Sequence, residues 1–260
     1  MSTIAPMPDH ELPASVRVAL WATAAFAGRV DVSLVAARAL PDVDHVEGLA
    51  EPLAMWQSLG ERAVLVALPR PGDLTGMPRG SADLLAAASE AAECVFIPGL
   101  GGALVPDLEQ FGPEGDQGWS ARWSLHGADP YPTHRVEALD LGQVELGLRT
   151  ELAAHTEALV AAGGAPFGPA AQERLAGVRR LSQAGAWGLP PGLPGRAERL
   201  IALAAGVLTL TDAGLDPDLQ SVDLATTSAR GQTLRRLQSV AATALADATN
   251  TAVLHLAGWR

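Results

Sequence analysis

Two loops in the first half of the chain hold the side chains and backbone best suited to bind a small anion. The loop PRPGDLTGMPRG, residues 69–80, carries Arg70, Asp73 and Arg79. Two guanidinium groups can fork onto a carboxylate or a phosphate, and loops of this length without structure of their own are often functional. The tract PGLGG, residues 98–102, follows an apolar run. A glycine turn at the end of a strand can present successive backbone N–H groups to an anion. Arg70, Asp73, Arg79, Gly99, Gly101 and Gly102 therefore form the candidate site, with a small anionic metabolite as its ligand. A dinucleotide fingerprint would need a helix to open after the glycines. Pro106 argues against one, and a chain without lysine has no P-loop lysine.

Other reactive groups have structural readings. Asp42, Asp44 and His45, with Glu47 beyond, could meet a divalent metal. Short acidic clusters between helices usually act as caps, and no metal is assigned. Glu151 and His155 are four apart on a helical stripe and share a face, which suits a packed histidine bonded to a carboxylate. Cys94 opens a buried run beside Glu93, whereas a reactive thiol wants an electropositive, accessible setting. Neither GxSxG nor HExxH occurs. No reaction and no cofactor are nominated.

The elements that must position these groups centre on residues 62–97. Ala63–Leu68 and Cys94–Ile97 are continuous apolar runs of strand length, of the kind covered on both faces. Between them Ser81 can cap a short helix bearing Leu84, Leu85, Ala88 and Ala92. Strand, helix, strand predicts a parallel pair with a right-handed crossover, which would set loops 69–80 and 98–102 side by side. Downstream, ALVPDLEQF reads as extended, with Pro106 placing it at an edge or a bulge. WSARWSLH alternates, with Trp119, Ala121, Trp123 and Leu125 on one face. HRVEAL reads as a further short strand.

Upstream, a helix is expected from Ser15 to Ala27, a second from Asp31 to Leu40, and a third with Val46, Leu49, Leu53 and Trp56 on its stripe, starting near Glu51. After Asp140 only helices are expected. One carries Val144, Leu148, Leu152, His155 and Leu159, one starts at Gly168–Pro169, one covers 196–213, and a last runs from Ser228 to Leu256. The predicted fold is α+β: a central mixed sheet of about five strands, flanked by N-terminal helices and followed by a C-terminal helical array. A single integrated domain, 1–260, is expected, with parts 14–60, 62–139 and 140–260.

Composition bounds the function. Net charge is −11 and the basic residues are all arginine. The charge lies wholly before residue 141, while the rest is neutral. An acidic half repels nucleic acid and anionic membranes, so neither is expected as a partner. One cysteine excludes a disulfide framework within the chain. The N-terminus lacks the pattern of a signal peptide, and the segment 240–258 carries Asp247, Asn250 and His255. These features predict a cytoplasmic protein. Asn250 is the only asparagine and Tyr131 the only tyrosine, a bias that tracks a GC-rich bacterial genome. The expected function is non-catalytic interaction or assembly. The last helix offers a narrow seam of Leu234, Leu237, Ala241, Ala244, Leu245, Ala248 and Ala252, which suits another helix of the chain or a homodimer.

Overall fold

The computed structural model describes residues 12–113, 116–161, 188–215 and 224–259. The helix expected from Gly168–Pro169, with Leu175, Val178 and Leu181, lies outside them. The described helices are α1 (Ala14–Phe26), α2 (Val35–Ala39), α3 (Ala50–Ser58), α4 (Ala82–Ala91), α5 (His134–Glu137), α6 (Leu141–Ala161), α7 (Gly195–Leu215) and α8 (Leu224–Leu256). The strands are β1 (His45–Glu47), β2 (Leu65–Ala67), β3 (Cys94–Phe96), β4 (Ala103–Phe111) and β5 (Gly118–His126). Their order in the single sheet is β1-β5-β4-β3-β2. The β1–β5 pair is parallel and the others are antiparallel. The expected α+β class with a mixed five-stranded sheet is what the chain adopts.

The central pair corrects one expectation. β2 and β3 run antiparallel, with Leu65 opposite Phe96 and Ala67 opposite Cys94. Loop 69–80 therefore leaves the sheet at the end where β3 begins, and turn 98–102 lies at the end where β2 begins. A continuous apolar run marks a strand buried on both faces and carries no mark of direction. α4 serves as a covering helix on β4, not as a right-handed crossover. Its capping was legible: Ser81 Oγ accepts from Leu84 N–H at 3.2 Å, and Leu84 and Ala88 are buried.

Two further readings change. His134–Glu137 is a helical turn rather than a strand. Val46 belongs to β1, opposite Ala121, so only Leu49, Leu53 and Trp56 of the expected stripe serve α3. Pro52 sits in the first turn of α3, where its missing N–H has no intrahelical partner to lose. Pro106 lies within β4, between two strands in the sheet order. β3 pairs only as far as Leu104, so beyond that point one flank of β4 meets no strand and tolerates a proline.

A continuous hydrophobic cluster runs from Leu12 to Ala257 and includes α1, the sheet, α7 and α8. α8 packs along α7 and α6, and its last turns reach α1 and β2. Of the two uses open to its seam, another helix of the chain or a second subunit, the fold makes the first. Leu234, Leu237, Ala241, Ala244, Leu245, Ala248 and Ala252 are all buried within the same chain. Small residues let the backbone of α8 approach its neighbours, and that closeness is used internally.

The free edge of β2 is closed by side chains. Thr23 Oγ1 on α1 accepts from Val64 N–H at 2.9 Å. Asn250 on α8 accepts from Val66 N–H at 2.8 Å and donates to Val66 C=O at 2.9 Å. A primary amide has a donor and an acceptor side by side, so it completes an edge as a strand would. Among the described residues no helix is long and apolar enough to cross a membrane.

Candidate functional site

The six residues singled out from the sequence do not meet in one place. Arg70 is buried, and its Nη1 donates to Pro69 C=O at 2.8 Å and to Ala92 C=O at 2.6 Å. Ala92 is the left-handed residue that ends α4. A cation on the last carbonyls of a helix is favoured by its dipole, so Arg70 ties the exit of β2 to the end of α4. Asp73 closes a tight turn by exchanging backbone hydrogen bonds with Arg70 at 2.8 Å, and its Oδ1 accepts from Thr75 N–H.

Arg79 lies at the opposite end of the same loop. Its side chain is exposed and its carbonyl accepts from Asp129 N–H at 2.7 Å. There the segment 127–129 crosses turn 98–102. A Cβ at Gly101 would stand 2.1 Å from Ala128 O, so only glycine fits at that crossing. Arg79 and the glycine turn are thus brought to one end of the sheet, while Arg70 and Asp73 are not.

The glycine turn does bind an anion, but the anion is part of the chain. Glu61, four residues before β2 begins, turns its carboxylate under the turn. Gly99 N–H donates to Oε2 at 3.3 Å and Leu100 N–H donates to Oε1. Glu61 is 7% exposed. A Cβ on Gly99 would come within 2.7 Å of that carboxylate. Sequence reasoning missed Glu61, because only antiparallel pairing brings the segment leading into β2 opposite the segment leaving β3.

The remaining reactive groups take structural roles. Asp42 pairs with Arg17, including an Nη2–Oδ2 bond of 3.2 Å in a nearly buried ion pair. Asp44 Oδ2 accepts from Trp119 N–H at 2.9 Å and fixes the entry of β1. His45 stacks on Phe111 with ring centroids 5.3 Å apart. Among the described residues no group of three or more metal-binding side chains converges. Cys94 is fully buried, and burial followed by the charge of Glu93 pushes its thiol up to about 12. Glu93 is itself raised by burial, although its Oε2 accepts from Ser15 N–H at 2.7 Å.

A cleft of about 320 Å³ opens where loop 69–80 meets α6 and α8. Val144, Leu148, Val240 and Ala244 form its apolar wall, and Ser239 and Thr243 supply hydroxyls. Three carboxylates reach it: Asp73, Glu151 and Asp247. Glu151 is paired with His155 at 3.3 Å, as its spacing predicted. Asp247 has no hydrogen bond or ion pair from its carboxylate among the described residues, and burial pushes it up to about 6. No arginine lines the cleft among the described residues. A desolvated carboxylate facing a cavity marks a place where a ligand could supply the missing partner. Asp247 carried no motif; its only sequence signal was a charge set into an alanine-rich seam.

Two family models match the chain. Residues 15–138 match the one described as Rv1486c-like protein, N-terminal domain, and residues 142–246 match the one described as Rv1486c-like protein, C-terminal domain. The models meet between α5 and α6, where the sequence passes from strand texture to helices. No curated protein and no solved structure matches.

Proposed function

We propose that this chain, which belongs to the Rv1486c-like protein family, is a non-catalytic interaction protein that takes a cationic group into the cleft between α6 and α8. The cation is an ammonium or guanidinium, carried by a free amine or by a basic side chain of a partner. We place its action in the cytoplasm of a GC-rich bacterium, in keeping with the composition of the chain.

The observation that carries the reading is Asp247. Its side chain is partly buried in the cleft wall, with no hydrogen bond or ion pair from its carboxylate among the described residues, and this partial loss of water disfavours the charge. A bound cation would remove the penalty, while Val144, Leu148, Val240 and Ala244 would hold the alkyl stem. This reverses the sign of the ligand expected from the sequence. The anionic reading relied on Arg70, Arg79 and the glycine turn acting together, and Arg70 is engaged at the far end of the sheet. The binding reading is also favoured by where the reactive groups sit, since the Cys94 thiol and Glu93 are enclosed in the core.

The test is isothermal titration of full-length protein with n-butylammonium, n-butylguanidinium and an arginine-rich peptide. Saturable heat from the small cations, lost in Asp247→Asn, identifies a free ligand. Saturable heat from the peptide alone, also lost in Asp247→Asn, identifies a partner side chain. No saturable heat from any of the three, or equal heat in the variant, sinks the reading. Because a cation favours ionised Asp247, binding tightens as pH rises through about 6.

A further inference from the structure

The glycine turn has a property that the cleft does not explain. Gly99 and Leu100 are consecutive, and their N–H groups converge on a single carboxylate. Consecutive backbone donors of this kind form an anion-binding concavity. Gly99 and Leu100 are exposed on the outer side of the turn, whereas Glu61 is buried beneath it. No cation pairs with Glu61 in an ion pair among the described residues, so its compensation comes from the two backbone donors.

We propose that turn 98–102 is an anion site held shut by its own side chain: Glu61 is the built-in occupant, and the ligand it excludes is a carboxylate or a phosphoryl group. The absence of a Cβ at Gly99 is what allows the carboxylate to come so close. A tethered occupant acts at an effective concentration on the order of millimolar or higher. A free anion therefore fails to displace it at ordinary concentrations, and it enters once the tethered carboxylate is gone. The proposal is independent of the cleft, because it concerns the other end of the sheet and the opposite charge.

Full-length wild type and Glu61→Ala are melted in sodium chloride, sodium acetate and sodium phosphate at equal ionic strength. The expected result is a Tm of Glu61→Ala that rises and saturates in acetate or phosphate relative to chloride, with a flat response from wild type. Equal responses of the two proteins would overturn the proposal. Should Glu61→Ala fail to fold, Glu61→Ser, whose short hydroxyl cannot reach the nest, carries the test by amide NMR. Acetate must then shift the Gly99 and Leu100 resonances saturably while chloride leaves them in place, and unmoved resonances count against the nest.

Discussion

Replacing Asn250 with leucine removes the closure of the sheet at β2 while keeping the number and branching of side-chain heavy atoms. The two bonds to Val66, at 2.8 and 2.9 Å, are the only strand-like partners that the outer side of this residue has among the described groups. Val66 is fully buried, so water cannot take the place of the amide. A buried backbone group left without a partner costs about 1–3 kcal/mol, and here an N–H and a C=O are both abandoned. The expected loss is roughly 2–5 kcal/mol, a large share of the roughly 5–15 kcal/mol by which a folded protein is stable.

Urea unfolding followed by tryptophan fluorescence is the assay, because Trp56, Trp119 and Trp123 are buried against or within the sheet. The midpoint should fall with the slope unchanged. Asn250→Asp adds a check of sign. Its carboxylate keeps an acceptor for Val66 N–H but faces Val66 C=O without a donor. Burial holds the carboxyl above its unfolded value, near 3.9. The protonated form can donate, so this variant should be most stable below that value and weaken as pH rises. If Asn250→Leu stays within about 0.5 kcal/mol of wild type, the range of an ordinary surface substitution, the edge-closing role is wrong.

Two further outcomes follow from burial. Asp247 has a folded value of about 6 against an ordinary 3.8, so folding favours its protonated form. Its contribution is greatest below 3.8 and is lost as pH rises through 6, by at most about 3 kcal/mol; Asp247→Asn should flatten stability over that window in urea titrations at fixed pH values. Cys94, with its thiol at about 12 and no exposed surface, should resist iodoacetamide at pH 8 in native protein and react fully in urea. Rapid native labelling would contradict its enclosure.

Much of the local structure was legible because its causes are local. The Ser81 cap, the Asp31 turn that accepts from Ser33 N–H at 2.8 Å, and the contact of Glu151 with His155 each join residues two to four apart. The alternation of Trp119, Ala121 and Trp123 named the buried face of β5, and all three are buried. Leu125 shares that parity yet is 51% exposed, since alternation sets a face but not whether anything covers it. β1 was missed because three residues give too short a pattern, and the helical spacing from Val46 to Trp56 was more persuasive.

By itself, then, the amino-acid sequence determined the class of fold, the central apolar strands, the caps and the uneven charge. Each follows from composition or from neighbours along the chain. Only the tertiary structure decided the direction of β2 against β3, and that one choice reassigned the site. Antiparallel pairing separated Arg70 from the glycine turn and set Glu61 beneath it. It also took packing to show that the α8 seam faces inward and that Asn250 closes the edge of β2. The residues at stake lie 38 positions apart for Glu61 and Gly99 and 184 apart for Val66 and Asn250. Periodicity along a chain carries no signal at such separations, because these contacts form only when the whole core is assembled.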